Sequence, residues 1–281
     1  MLLRASTVRV LDDRDTVAAL EVVARDPVAN VFVGARIGAA GLEPWRLAAE
    51  VWGHTEAGVL TALCFSGANL APVCAGDGAV RAFAERARRQ GRRCSSIVGP
   101  ADAVLGLWQV LQHHWGPARE VREEQPLLVL RDPPRLSPDP LVRRVRPDEL
   151  EVLLPAAIAM FTEEVGVSPL VGDGGALYRS RVAELVAAGR SYARIEDGRV
   201  LFKAEIGAAT ADACQVQGVW VDPALRGRGL GAAGTAAVAA DALRSVAPAV
   251  SLYVNGFIVA ARAAYARVGF AREGTFASVL F

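Results

Sequence analysis

Residues 221–243 read VDPALRGRGLGAAGTAAVAADAL, and two glycine patterns overlap in them. Counted from Gly229 they spell G-x-G-x-x-G, the spacing of a dinucleotide-binding turn. Counted from Arg226 they spell R-x-x-G-x-G. In either case, glycines between a strand and a helix let the backbone approach a phosphate while the N–H groups and the dipole of the helix face it. The surroundings separate the two. A dinucleotide turn follows its strand directly and needs an acidic residue about 20 positions later for the ribose. Here DPALR, residues 222–226, intervenes, and the corresponding later stretch VSLYVNGF carries Asn255 where the acid belongs. Too little chain follows Gly234 to complete a doubly wound sheet. A bare tight turn would not call for Arg226 and Arg228, whose guanidinium groups suit a pyrophosphate or a sugar 3'-phosphate.

Working outward, the chain has 281 residues, 52% hydrophobic and 22% charged, with a formal net charge of +1. This composition belongs to ordered, core-forming chains, and the balanced charge gives no general pull toward nucleic acid or an anionic membrane. The run ERARRQGRR, residues 85–93, resembles a nucleic-acid patch in isolation, but at the C-terminal end of a helix arginines are favoured by the dipole and stay solvated. Neither a nucleic-acid nor a membrane partner is expected. Cys64, Cys74, Cys94 and Cys214 are scattered, and with His54, His113 and His114 they form no zinc-like spacing. They read as buried thiols of a reducing compartment, with no metal. The start MLLRASTVRV lacks the apolar core of a signal peptide, and no apolar run approaches the roughly 20 residues that span a bilayer. A cytoplasmic protein is the expectation.

The clearest boundary is RDPPRLSPDP, residues 131–140, whose prolines exclude a regular helix or central strand. It predicts two α/β domains, 1–130 and 141–281. Each half shows an opening strand, helices, a strand hairpin, then alternating helices and strands. In the first half, STVRVLD reads as a strand, DRDTVAALEVVARD as a helix, and LAAEVWGHTEAGVLTALCFSG as a hairpin turning at residues 56–58. In the second, SYARIEDGRVLFKAEIGAATADACQVQGVWV reads as a three-stranded meander leading into the glycine loop.

Gln217 to Phe270 resembles the GNAT superfamily of acyl-CoA-dependent N-acetyltransferases, on the motif VDPALRGRGLG between strand and helix, the strand VSLYVN, and AARAAYARVGF with its tyrosine four residues before Gly-Phe. The whole chain is similar to a two-part bacterial group whose N-terminal half is a diverged GNAT-like domain. The resemblance implies tandem α/β (α+β) domains, each with a mixed, mostly antiparallel sheet flanked by helices and strands that splay to admit the thioester. It implies acetyl-CoA as cosubstrate. The amides of Val219, Trp220 and Val221 would then bind the pantetheine arm, those of Arg226, Gly227, Arg228, Gly229, Leu230 and Gly231 the pyrophosphate, and Asn255 would lie across the gap. Tyr265 would be the general acid, since a phenol titrates only about 1.5 units above a thiol; the competing reading is a helix residue packed on the sheet. A backbone N–H near Val219 would hold the oxyanion. Ile258 departs from the family, which often has asparagine there, and this leaves a weaker hold on the arm or a different acyl chain open.

For the general base, the strand period puts Lys203 and Glu205 on one face and Gln215 and Gln217 on one face of the next strand. A turn centred near Thr210 brings all four together, with Glu205 as base. The alternative is a solvated sheet face. Glu163 and Glu164 are the rivals. The junction PVCAGDGAVRAF of the first half has no R-x-x-G-x-G and carries Asp77, so no acyl-CoA site is expected there. The expected activity is acetyl transfer to a primary amine by direct attack; the alternatives are a non-catalytic acyl-CoA-binding or sensing protein and a dinucleotide-dependent oxidoreductase. The acceptor, a small amine, an antibiotic, a peptide N-terminus or a protein lysine, is not identified, its specificity being placed in loops such as GVSPLVGDGG, residues 166–175, which read as a lid. A homodimer is one of the oligomeric states left open.

Overall fold

The computed structural model describes residues 6–171 and 174–281, so residues 172 and 173 of the expected lid lie outside the described residues. The chain forms two compact units. One comprises Met1–Leu127, Tyr253–Phe257 and Arg272–Phe281; the other comprises Leu128–Leu252 and Ile258–Ala271.

The elements run β1 (Ser6–Val10), α1 (Thr16–Val23), α2 (Val31–Ala40), α3 (Pro44–Leu47), β2 (Glu50–Glu56), β3 (Val59–Ser66), β4 (Asn69–Val73), α4 (Asp77–Gln90), β5 (Ser96–Pro100), α5 (Ala101–Trp115) and β6 (Glu120–Leu130). They continue with β7 (Arg143–Arg144), α6 (Leu150–Val165), α7 (Ala176–Ala187), β8 (Ser191–Glu196), β9 (Arg199–Ala209), β10 (Cys214–Val221), α8 (Leu230–Ser245), β11 (Val250–Tyr253), α9 (Val259–Val268) and β12 (Ala271–Leu280). Apart from the one-turn α3, the second series repeats the first: strand, two helices, three-stranded meander, helix, strand, helix, strand.

In the first unit the strands lie in the order β1-β2-β3-β4-β5-β12-β6. Neighbours from β1 to β4 are antiparallel, β4 to β5 is parallel, and β12 is antiparallel to β5 over Phe276↔Pro100 to Leu280↔Ser96. In the second unit the order is β11-β10-β9-β8-β7, with only β10 and β11 parallel.

The sequential division at the prolines is corrected on two counts. The last strand of the chain completes the sheet of the first unit, because its consecutive Phe276, Ala277, Ser278 and Val279 are buried beside β5. The segment 131–140 is no loose tether either: Asp139 is buried, its amide donates to the carbonyl of Ala233, and its carboxylate accepts from Arg194 at 2.9 Å. It therefore groups with the second unit.

In the second unit, Leu153, Ala156 and Ala157 of α6 and Val182 and Val186 of α7 cover one sheet face with Ala193 and Val200. On the other face Phe202 meets α8 at Gly234, where a Cβ would come within 2.7 Å of the ring. The third glycine of the quoted loop thus serves close helix–sheet packing. Entry to α6 is fixed by Glu149, which accepts from Arg143 at 2.7 and 2.8 Å and from the Arg146 amide at 2.9 Å.

Candidate active site

Strand β10 is the spine of the site. It pairs with β11 at Cys214↔Val250 and Gln215↔Ser251, then runs on to Val221 without further pairing to it. The two strands splay at that point. On its other side β10 is in register with β9 at Gln217↔Glu205 and Trp220↔Lys203, so Gly218 and Val219 oppose the single residue Ala204. This bulge needs glycine, because Gly218 has φ +59° and a Cβ there would stand 3.0 Å from Lys203 Nζ and Met160 Cε. Val219, Trp220 and Val221 are half-buried along the splayed edge.

After β10, Asp222 accepts from the Ala224 amide at 3.0 Å and from Arg199 at 2.7 Å, and Pro223 opens a single 3-10 turn. This turn delivers the glycine loop. Gly227 (φ +78°) and Gly229 (φ +89°) are left-handed, with nothing within 4 Å of a would-be Cβ, and Gly229 caps α8. Among the described residues the amides of Gly227, Arg228, Gly229, Leu230 and Gly231 have no acceptor within the chain. They are the orphan donors of a helix start, gathered at its positive end. Arg226 is otherwise engaged: its guanidinium pairs with Glu163 at 2.7 Å and donates to the Val221 carbonyl at 3.1 Å. Glu163 also accepts from the Trp220 indole at 3.1 Å. One of the rival bases thus ties α6 to the loop.

Beneath α6 and α7, Lys203, Glu205 and Gln215 of the polar row are buried and Gln217 is exposed, so the alternative of a wholly solvated face does not hold. Lys203 is 1% exposed and Glu205 8%. Nζ of Lys203 donates to Oε2 of Glu205 at 3.1 Å, and Nε2 of Gln217 donates to Oε1 at 3.0 Å. Gln215 stands apart, opposite Ala208, because a register shift between Gln215 and Val216 breaks the alternation. Ser191, the cross-strand neighbour of Glu205, has a buried hydroxyl without a hydrogen-bond partner among the described residues.

Tyr265 is held at the end of α9. Gly269 (φ +115°) stops the helix, its amide and that of Phe270 return to the Tyr265 carbonyl, and the Phe270 ring sits edge-on to the phenol at 6.1 Å. The motif Y-x-x-x-G-F is this turn. Burial pushes the Tyr265 phenol up, and the negative charge of Glu164 adds to the same shift. Tyr178 is raised by burial too, then by Glu205 and Glu164, which places both carboxylates near it. Asn255 groups with the first unit, and its oxygen accepts from Gln125 at 2.8 Å, while Gln125 accepts from Ser278 at 2.7 Å. Gln217 meets Glu205 as the turn near Thr210 requires, whereas Gly218 and Gly207 escaped the sequence reading, although isolated glycines inside two strands are a bulge signal.

A family model described as a domain of unknown function (DUF4081) matches residues 49–153. No curated protein sequence matches the chain. Among solved structures, a GNAT-family acetyltransferase from Colwellia psychrerythraea is 12% identical, with 98% of this chain and 99% of that one covered and a TM-score of 0.57. A GCN5-related N-acetyltransferase from Sphaerobacter thermophilus is 17% identical, covering 98% and 95%, with a TM-score of 0.58. A tandem GNAT protein from the clavulanic acid biosynthesis pathway is 15% identical, covering 98% of each chain, with a TM-score of 0.57. The fold is that of the GNAT acetyltransferases. More particularly, it is the tandem form, matched over the full length of the chain.

Proposed function

We propose that the second unit transfers an acetyl group from acetyl-CoA to a primary amine by direct attack. The observation that carries this is the loop after β10, where five unpaired amides stand between Arg226, Arg228 and the start of a long helix. Such a cradle suits a pyrophosphate. The edge of β10 from Val219 to Val221 that faces β11 is freed from pairing by the splay, while Trp220 and Val221 stay in register with β9 on the other side; amides on that free edge are suited to the pantetheine arm, and one of them to the oxyanion.

In this proposal the amine nitrogen forms a bond to the acyl carbon as the carbon–sulfur bond breaks. Tyr265 gives its proton to the departing thiolate; its hydroxyl makes no hydrogen bond among the described residues, and its raised pKa keeps it protonated until then. The proton lost by nitrogen goes to a carboxylate. Glu205 takes it directly or through water, and Glu164, beside Tyr265 and Tyr178, is the rival. The strand-to-helix junction before α4 in the first unit takes no part in coenzyme binding: Gly76 caps α4 and Asp77 opens it, and that charge opposes a phosphate.

Calorimetric titration with acetyl-CoA, coenzyme A and NADH tests the reading, with Gly229→Glu alongside. Acetyl-CoA binding that Gly229→Glu abolishes is expected. Preference for NADH, or no binding, ends the proposal. Binding without turnover over a broad amine panel, with Tyr265→Phe silent, identifies an acyl-CoA-binding or sensing protein instead.

A further inference from the structure

Lys203 is the only lysine in the chain, and it ranks among the largest fully buried side chains. Every other basic position is arginine, so a compact ammonium, not a planar guanidinium, fills this interior place. A buried ion pair contributes little stability compared with apolar residues of equal volume, because both charges lose their hydration. What it does here is fix other groups.

Glu205 is gripped from one side by Lys203, and its second oxygen accepts from Gln217. A carboxylate only accepts. The NH2 group of Gln217 must therefore face Glu205, and its carbonyl oxygen points the other way, over Gly207, where any Cβ would run into the amide. Gln217 is exposed, and Gly207 lies on β9 beyond Glu205, away from the bulge at Gly218 and Val219, so this carbonyl stands on the β9 side of the strand, next to the Glu205 carboxylate. A hydrogen-bond acceptor with a fixed direction is thus presented beside the candidate base.

We propose that Gln217 determines specificity for the acceptor, its outward carbonyl receiving one N–H of a primary amine, and that Lys203 is a positioning residue that sets this orientation through Glu205. The inference rests on the acetyltransferase reading above. A primary amine has one N–H for Gln217 and a second to lose during transfer. A secondary amine has only one for both tasks, and the site discriminates against it.

The test uses the full chain with benzylamine and N-methylbenzylamine as acceptors at saturating acetyl-CoA, following released thiol. The wild type should prefer benzylamine at least tenfold in kcat/KM. Gln217→Ala should raise KM for benzylamine about tenfold, as expected for a lost hydrogen bond to a charged or strongly polar donor, and bring the two amines within twofold, with acetyl-CoA affinity by calorimetry changed less than twofold. Gly207→Ala, which displaces the amide without altering it, should do the same. Lys203→Met should lower the preference in the wild-type background and add nothing to Gln217→Ala; if it does not fold, Gly207→Ala carries the test. An unchanged preference in Gln217→Ala overturns the proposal. So does a wild type that binds acetyl-CoA and acetylates neither amine. A wild type that binds no acetyl-CoA removes the reading beneath it.

Discussion

Tyr265 shows how much a single residue owes to its neighbours. Gly269 and Phe270 fold back on its carbonyl and ring, and burial then raises the phenol. Tyr265→Phe should lower kcat by about 10²–10³, the range for losing a general acid, and leave acetyl-CoA affinity intact in the same calorimetric experiment. Because its pKa is raised from 10.0, the acid form persists through alkaline solution, and a pH–kcat profile should show no fall attributable to Tyr265 below pH 10. Ser191 is the opposite case. Its hydroxyl is buried without a partner among the described residues, so Ser191→Ala should be neutral or stabilising by up to about 1 kcal/mol in urea unfolding. A loss of stability would mean that the hydroxyl is satisfied in solution.

At the scale of elements, the strand-to-helix junctions carry both fold and site. The entry to α6 depends on Glu149, which hydrogen bonds from Arg143 and then Arg146 hold down to about 2, from 4.5. A carboxylate with a depressed folded-state pKa contributes stability that is complete above its unfolded value and is lost as pH falls toward the folded one. Glu149→Gln should therefore destabilise the chain at pH 7 and cost progressively less as pH falls from about 4.5 to 2, measured by urea midpoints across that range. The meander and the glycine loop were legible in the sequence because turn residues and alternation are local. The bulge at Gly218 depends on pairing with β9 across the hairpin, and the register shift near Gly207 separates Gln215 from the row that strict alternation assigns to it.

For the whole molecule, the two units share an element order, and the last strand belongs with the first unit. The side-chain network of Gln125, Asn255 and Ser278 lies within that unit and joins β6, the segment after β11, and β12. Gln125→Ala strands two buried partners and should cost about 1–3 kcal/mol in denaturant unfolding. A fragment of residues 141–281, the domain expected from the prolines, should fail to fold, because β12 would leave its partner β5 behind; circular dichroism and solubility would show it. Among the described residues no helix is long and apolar enough to cross a membrane.

By itself the sequence determined the local features: a turn of glycines and arginines at a helix start, the tyrosine before Gly-Phe, the order of strands and helices in each half. These follow from periodicity, φ preferences and dipoles, which act over a few residues. Only the tertiary structure decided which strands pair across long separations, that the chain's C-terminal strand completes the first unit, and that Lys203 and Glu205 are buried and not solvated. Burial and long-range pairing are set by packing of elements far apart in the chain, and alternation along one strand cannot say which of its faces a helix will cover.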